Sequence, residues 1–318
     1  MDRLFPPPTP DSSKGMRLMG IFAHPDDEIS GVLPRVTKDG GTTFVITMTD
    51  GREAESFDPS VPSRPDVMAA ARVPEWNASL SALGVAPNHR VQMGYHDSGM
   101  KDSPTSQAPG ALWCEPMDNV VQRLVQQIRA FRPQVILTNG NPGAYGHPDH
   151  IKTFAGVQEA FERAADPQYH PELGRPFAVS KLYTGTVPPA LSREIRIEAR
   201  AEGRVDPADH SQPQWAMYLP SDNDFGHTVI DARDVAPQVL GAMASQRTQM
   251  PPGFFLRDAT TATWRKWAVE HLRLERTRVA VPQRTMQRRG HSVALPETDI
   301  FSGVRGHLAP STAAHGLG

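Results

Sequence analysis

One stretch of the sequence, LMGIFAHPDDEISG from Leu18 to Gly31, constrains the fold more than any other. Its apolar run, Met19 to Ala23, predicts a buried strand that ends where His24 and Pro25 begin a polar turn. The turn continues with three acidic residues, Asp26, Asp27 and Glu28. In open α/β sheets, ligands bind outside the carboxyl ends of the strands. The stretch therefore predicts a chemically active edge of a sheet.

The HPDDE turn offers a pair of side chains that can meet at one point. If a helix begins at Pro25, the three-residue spacing of His24 and Asp27 lets them converge, and the helix dipole favours the acidic residues. An imidazole and a carboxylate are two ligands that suit zinc, while Asp26 points elsewhere and is a candidate base. The alternative is an acidic first helical turn beside a histidine with a purely structural role.

A second motif, NGNPGAYGHPDH at 139–150, follows the predicted buried strand at 134–138. Its glycines and prolines predict a loop with unusual backbone angles, and a helix is predicted to start at Ile151. His147 and His150 repeat the three-residue spacing of the first motif. Two such clusters, each at the end of a predicted parallel strand, indicate a metal site.

Apolar periodicity predicts strands alternating with helices along the first 190 residues. The predicted strands are 19–23, 42–49, 90–94, 134–138 and 181–186, and the predicted helices are 29–38 (broken by Pro34), 66–83, 117–131 and 151–165. This alternation is typical of an α/β fold in which a mostly parallel, Rossmann-like sheet carries helices on both faces.

The chain divides into three predicted parts. Residues 1–15 are proline-rich and predict a flexible lead-in, and residues 16–190 form the Rossmann-like catalytic domain. Residues 191–318 form a smaller C-terminal α+β portion. Its predicted elements are a helix at 191–201, an irregular stretch at 203–226, a strand at 227–231, a helix at 235–245, and apolar fragments, one of them at 264–272, before a Gly/Pro/Ser-rich tail.

Charge and cysteine content restrict the partners and the compartment. The 318 residues include 33 basic and 35 acidic side chains, a net charge of −2, so we expect a small-molecule partner rather than nucleic acid or a membrane surface. Cys114 is the single cysteine, and we expect it to be buried. Because no disulfide can form within the chain and no signal peptide or membrane span is evident, we expect a cytoplasmic protein.

The motifs AHPDDE and GHPDH together resemble those of the zinc-dependent N-deacetylases and amidases of the PIG-L/LmbE type. The stretches GYHDSGM (94–100), FRPQVILT (131–138), SQRTQMPPGFF (245–255) and LPETDIFSG (295–303) extend the resemblance over most of the chain. It is strongest to the mycothiol enzymes, the N-acetylglucosaminyl-inositol deacetylase and the mycothiol S-conjugate amidase. The resemblance implies a Rossmann-like fold whose C-terminal portion closes the substrate cavity, and it leaves open whether the protein forms a homo-oligomer.

The resemblance also implies a role for each motif residue. The metal ligands fall on His24, Asp27 and His150, and the metal would be Zn²⁺, with Fe²⁺ as an alternative. Asp26 falls on the general base, and His147 and Tyr145 fall on further catalytic positions. Three protein ligands leave room for a water whose pKa zinc lowers to roughly 7. Substrate contacts fall on three more residues, Arg72, Asp97 and Glu55.

The implied activity is hydrolysis of the N-acyl amide of a glucosaminyl-inositol, mycothiol-type conjugate. The chain departs from those enzymes around the pocket, with Ile29-Ser30-Gly31 where S-conjugate amidases carry a lysine and with a different loop at 50–53. An N-deacetylase of an aminosugar-containing specialised metabolite therefore stays an alternative. A sugar-binding paralogue without activity would be expected to have lost the base or a ligand. A nucleotide-binding enzyme would need G-x-G-x-x-G after the first strand, where this chain has AHPDDE instead.

Overall fold

A computed structural model of the chain describes residues 13–140, 146–186, 228–250, 268–282, 284–288 and 291–305, together with the single positions 197 and 201. The α-helices of this described part are α1 (Val32–Lys38), α2 (Pro65–Ala82), α3 (Met117–Phe131), α4 (Pro148–Arg163) and α5 (Ala236–Ser245). The strands are β1 (Arg17–Phe22), β2 (Thr42–Thr49), β3 (Arg90–Tyr95), β4 (Val135–Thr138), β5 (Lys181–Thr186), β6 (Thr228–Asp231), β7 (Val269–Thr277), β8 (Arg284–Arg288) and β9 (His291–Leu295).

Strands β1 to β7 form one sheet in the order β3-β2-β1-β4-β5-β7-β6. Neighbouring strands from β3 through to β5 pair in parallel, and β7 runs antiparallel to both β5 and β6. The chain moves outward from β1 to β3 and then returns to the other side of β1 as β4. The crevice between β1 and β4 is therefore the topological switch point, where this class of sheet places its ligands.

Helices cover both faces of the sheet, because successive side chains of a strand point to opposite faces. Leu18 and Phe22 of β1 share a core with residues of α1, α2 and α5. Met19 and Ile21 share a second core with residues of α3 and α4. The predicted α/β class, with a mostly parallel sheet and helices on both faces, is confirmed.

The helix predicted at 29–38 is shorter in the structure, where α1 begins only at Val32. Residues 24–30 form a tight turn instead, so Asp26 and Asp27 do not lie in a helical first turn, as the motif had led us to expect. Pro34 does not break α1, since it lies in the first turn, where a helical N–H has no partner within the helix. The fourth helix also starts earlier than predicted, at Pro148.

The C-terminal portion adds strands to the same sheet. The apolar fragment at 264–272 overlaps β7, and the β8–β9 hairpin lies where we predicted only a tail. The hairpin escaped prediction because it contains few large apolar residues, so its strand alternation is weak. The predicted helix at 191–201 lies outside the described residues except for positions 197 and 201, and the stretch 203–226 lies wholly outside them. The domain boundary at 190 stays a prediction.

Two further expectations concern the surface. Cys114 is exposed rather than buried, since it ends a short 3₁₀ turn in the loop before α3. Among the described residues, no helix has the length and apolar character that crossing a membrane requires.

Candidate metal centre

The loops after β1 and β4 bring three predicted metal ligands together at the switch point. His24 and Asp27 lie in the turn that follows β1, and His150 lies in the first turn of α4. All three side chains are nearly excluded from solvent. His24 Nδ1 lies 3.1 Å from His150 Nε2 and 3.5 Å from Asp27 Oδ2, and the latter two atoms are 3.3 Å apart.

These spacings fit a small metal ion. Zinc bonds of about 2.0–2.1 Å in tetrahedral geometry place ligand atoms about 3.3 Å apart. Asp27 Oδ2 is held in the turn by the main-chain N–H of His24, which donates to it at 2.8 Å. The predicted set of His24, Asp27 and His150 therefore forms a buried cluster compatible with a metal site.

A carboxylate that sequence reasoning left without a role orients His24. Asp149 is completely buried, and its Oδ2 lies 3.3 Å from His24 Nε2. The main-chain N–H of Ser98 donates to Asp149 Oδ2 at 2.8 Å, and the Ser98 hydroxyl donates to Oδ1. When a carboxylate accepts from Nε2–H, the lone pair of Nδ1 is left for a metal. The position of Asp149 between the two histidines of GHPDH was the signal available in the sequence.

His147 lies beside the cluster and is the N-cap residue of α4. Its Nδ1 accepts the main-chain N–H of Asp149 at 3.2 Å, so the ring hydrogen belongs on Nε2, which lies 3.7 Å from Asp97 Oδ1. Burial, and next the neighbouring His24, lower the pKa of His147 to about 3. The ring is therefore neutral and presents an N–H donor. His147 also belongs, with His24, Asp97 and Asp149, to a second group of buried donor atoms close enough to hold a cation.

Asp26 is the more open of the two adjacent aspartates, with 24% of its side chain exposed. Its backbone lies in the left-handed region, with φ 109°, and its N–H donates to Glu28 Oε2 at 2.7 Å. Arg72 Nη2 lies 2.8 Å from Asp26 Oδ2. Burial raises the pKa of Asp26 while Arg72 lowers it and Asp27 raises it, which leaves the value at about 6.

The three predicted substrate contacts occupy different surroundings. Arg72 is 2% exposed and, besides pairing with Asp26, donates to the carbonyls of Pro25 and Gly51. Asp97 is also buried, and its Oδ1 lies 3.6 Å from His24 Nε2. Although burial raises the pKa of Asp97, His24 holds it below the ordinary value.

Glu55, the third of these residues, is exposed. Glu53 of the same loop is half-buried, and burial raises its pKa, while a hydrogen bond with Thr105 lowers it and the charge of Asp97 raises it. Glu53 is thus the acidic residue of this loop that interacts electrostatically with Asp97. Tyr145 lies outside the described residues.

Fold and site together define a class of protein. A three-donor metal cluster at the switch point of a parallel sheet, with a partly exposed carboxylate beside it, is the arrangement of a metal-dependent hydrolase. The chain belongs to the family described as PIG-L: GlcNAc-PI de-N-acetylase, whose model matches residues 19–161. The resemblance that the two motifs indicate is thereby confirmed.

A relative supports this membership over nearly the whole chain. The 1D-myo-inositol 2-acetamido-2-deoxy-alpha-D-glucopyranoside deacetylase of Streptomyces scabiei is 32% identical over 319 aligned positions, which cover 94% of this chain and 93% of the relative. With the family match, this similarity identifies the chain as a hydrolytic deacetylase, as predicted.

Two solved structures share the fold. The N,N'-diacetylchitobiose deacetylase of Pyrococcus horikoshii aligns with a TM-score of 0.53 and 18% identity, over 81% of this chain and 83% of that one. The 4-carboxy-2-hydroxymuconate hydratase of Pseudomonas putida aligns with a TM-score of 0.54 and 15% identity, over 84% and 99%. Because one is a deacetylase and the other a hydratase, the fold alone does not set the reaction.

Proposed function

We propose that this deacetylase hydrolyses the N-acyl amide of a glucosaminyl-inositol, mycothiol-type conjugate, with zinc as its metal. The observation that carries the chemistry is the set of three donor atoms 3.1–3.5 Å apart beside the Asp26 carboxylate. The substrate class is supported by the Streptomyces scabiei relative, whose name gives a glucosaminyl-inositol compound as its substrate.

His24, Asp27 and His150 would hold the zinc ion. Two neutral imidazoles and one carboxylate are ligands that zinc accepts, and Fe²⁺ suits nitrogen and oxygen donors as well. When bound, the metal supplies a Lewis acid that polarises an amide carbonyl and makes water acidic enough to react at neutral pH. Three protein ligands would leave the fourth position of a tetrahedral zinc site for water.

Asp26 is the group that would take a proton from the attacking water and pass it to the departing amine. Its carboxylate is partly exposed, whereas that of Asp27 is nearly excluded from solvent, so Asp26 is the more accessible of the two to incoming water. Arg72 holds one oxygen of Asp26, which fixes the direction of the other. A base fixed at hydrogen-bond reach of its proton contributes about 10²–10⁴ in rate.

His147 would stabilise the negative charge that develops on the carbonyl oxygen. Because its Nδ1 accepts the N–H of Asp149, the hydrogen of the neutral ring lies on Nε2, in a buried site. A donor placed in this way costs no reorganisation when the charge forms. The role of Tyr145 stays a prediction from the motif.

Substrate contact by Arg72, Asp97 and Glu55 also stays a prediction. Asp97 lies against both His24 and His147, so an inositol or sugar hydroxyl bound there would lie next to the reacting groups. Arg72 already pairs with Asp26, which favours an effect on the base over a direct contact with the sugar.

The proposal is tested by measuring amine release from N-acetylglucosaminyl-inositol and from a mycothiol S-conjugate, each incubated with the zinc-loaded protein. The Asp26→Asn variant is the control for activity that does not come from this site. Release from either substrate that the variant lacks supports the proposal. Turnover of neither, with zinc bound, would refute this substrate class and favour an aminosugar-containing specialised metabolite.

A further inference from the structure

Glu28, the last residue of HPDDE, is completely buried beside the proposed base. Its carboxylate accepts hydrogen bonds from three separate segments. Oε2 accepts the main-chain N–H of Asp26 at 2.7 Å. Oε1 accepts the Ser79 hydroxyl of α2 at 2.7 Å and Nε2 of Gln246, which follows α5, at 3.4 Å. Neither the family resemblance nor the proposed reaction assigns a role to this residue.

The contact with Asp26 matters because the backbone there is strained. A φ of 109° is rare for any residue with a Cβ, and such conformations are strained. They persist only where the surroundings hold them. The N–H bond to Glu28 is a direct restraint on the main chain of Asp26.

Helix α2 holds Asp26 from two directions. Arg72 reaches its carboxylate, and Ser79, seven residues and about two turns further along the same helix face, reaches it through Glu28. Gln246 is also completely buried and fixes the same oxygen of Glu28 from the C-terminal portion. The orientation of Asp26 therefore depends on groups contributed by α2 and by the segment after α5.

We propose that Glu28 is a positioning residue for Asp26, and that Ser79 and Gln246 hold Glu28 in place. The inference rests on the proposed role of Asp26 as the base. Glu28 acts by accepting the N–H of Asp26, which keeps that residue at positive φ with its carboxylate against Arg72. Its contribution lies in hydrogen-bond geometry, so an uncharged acceptor of the same shape can replace it.

The kinetic test compares Glu28→Ala with Glu28→Gln in the zinc-loaded protein. Misplacing a catalytic group by about 1 Å costs about 10²-fold, so we expect Glu28→Ala to lower kcat by roughly 10- to 100-fold with KM and zinc content near native. Glutamine can accept the Asp26 N–H with its oxygen and donate its amide hydrogens to Ser79 and, after the Gln246 amide turns over, to Gln246 Oε1. Glu28→Gln should therefore stay within about threefold of native. Equal losses in both variants would overturn the proposal.

A second measurement does not depend on knowing the substrate. Crystal structures of the two zinc-loaded variants should show Asp26 leaving positive φ in Glu28→Ala and retaining it in Glu28→Gln. An unchanged φ and an unchanged Arg72 contact in Glu28→Ala would overturn the positioning role. A native protein that releases no amine refutes the proposed function instead, while this comparison still decides what Glu28 does.

Milder variants keep the test informative if Glu28→Ala does not fold. Ser79→Ala removes one donor to Glu28, and Ser81→Ala removes an exposed hydroxyl of the same helix that donates to the Asn77 carbonyl. We expect a several-fold loss of kcat in the first variant and none in the second. In the segment after α5, Gln246→Ala should likewise lower kcat several-fold, whereas its control Gln249→Ala should not. If kcat is the same for Ser79→Ala and Ser81→Ala, and also for Gln246→Ala and Gln249→Ala, the proposed support of Glu28 is contradicted.

Discussion

At the scale of single residues, the site separates two adjacent aspartates by their surroundings. Although burial raises the pKa of Asp27, His150 and His24 hold it well below its ordinary value, as suits a metal ligand. At Asp26 burial outweighs the opposing charge of Arg72 and raises the pKa to about 6. An aspartate is thus the proposed ligand at one position and the proposed base at the next, because burial and the neighbouring charges combine differently at the two carboxylates.

We expect Asp26→Asn to lower kcat by about 10²–10⁴-fold, the contribution of a positioned general base. The variant keeps the shape of the side chain but cannot accept a proton. Zinc content measured by atomic absorption should stay near one per chain, since Asp26 is not one of the proposed ligands. Turnover near the native rate would show that another group takes the proton.

Removing the metal should destabilise the protein. The donor set brings two histidines and one carboxylate into a buried cluster, and a metal that binds the folded state alone stabilises it by about 4 kcal/mol at 1,000 times its dissociation constant. Chelation should therefore lower the melting temperature by several degrees and abolish amine release. His150→Ala should reproduce both effects.

The surface histidine His170 is the matched control for that experiment. It lies outside both motifs and pairs with exposed Glu172, so His170→Ala should retain metal, melting temperature and activity. A chelator that changes neither melting temperature nor activity would speak against a metal-dependent reaction.

At the scale of elements, α2 and the loop after β2 form one support for the proposed base. Arg72 of α2 donates to the carbonyl of Gly51, which has a positive φ of 64°. A Cβ at Gly51 would lie 2.1 Å from Nη1 of Arg72. The glycine therefore permits both the turn and the close approach of the guanidinium that orients Asp26.

We expect Gly51→Ala to lower kcat at least tenfold, because the new methyl group displaces Arg72 from Asp26. Gly94→Ala is a matched control, since Gly94 also has a positive φ, 76°, but a Cβ there meets no atom within 4 Å. Both variants should lose about 1 kcal/mol of unfolding free energy from backbone strain. Kinetics measure the displacement of Arg72, and urea unfolding measures the backbone strain. Equal kcat values for the two variants would show that a methyl group at position 51 does not displace Arg72 from Asp26.

At the scale of the whole molecule, a buried ion pair joins the C-terminal segment to the sheet. Glu297 accepts from Lys181 Nζ and from the Tyr183 hydroxyl of β5, each at 2.5 Å, and from the Thr228 hydroxyl of β6 at 2.8 Å. Lys181 is completely buried. The LPETDIFSG stretch therefore has a structural role, since its Ile300 and Phe301 also pack in the core shared with β1 and α2.

Glu297→Ala should lower the free energy of unfolding by about 3–5 kcal/mol, because it leaves the charge of Lys181 buried without its partner. Combining it with Lys181→Met should recover part of that loss. Exposed Glu172→Ala is the control and should change stability by less than about 0.5 kcal/mol. Urea denaturation measures all three, and a small effect of Glu297→Ala would mean that water or another group reaches Lys181.

The sequence alone predicted the parallel sheet, the helices on both faces, and the convergence of His24, Asp27 and His150, whose donor atoms the structure places 3.1–3.5 Å apart. These follow from short-range patterns, namely apolar periodicity and motifs that end at neighbouring strands. It was not enough for the tight turn at 24–30, which we predicted as helix, or for the β8–β9 hairpin.

The tertiary structure alone decided which side chains support the donor set. Asp149, Ser98, Glu28 and Gln246 are up to 218 positions from their hydrogen-bond partners, and no local pattern specifies such contacts. It also decided that Arg72 faces Asp26 and that Glu55 faces solvent. The physical reason is that ligand spacing within a turn is a local property of the chain, whereas the orientation of a buried polar group depends on the partners that folding brings to it.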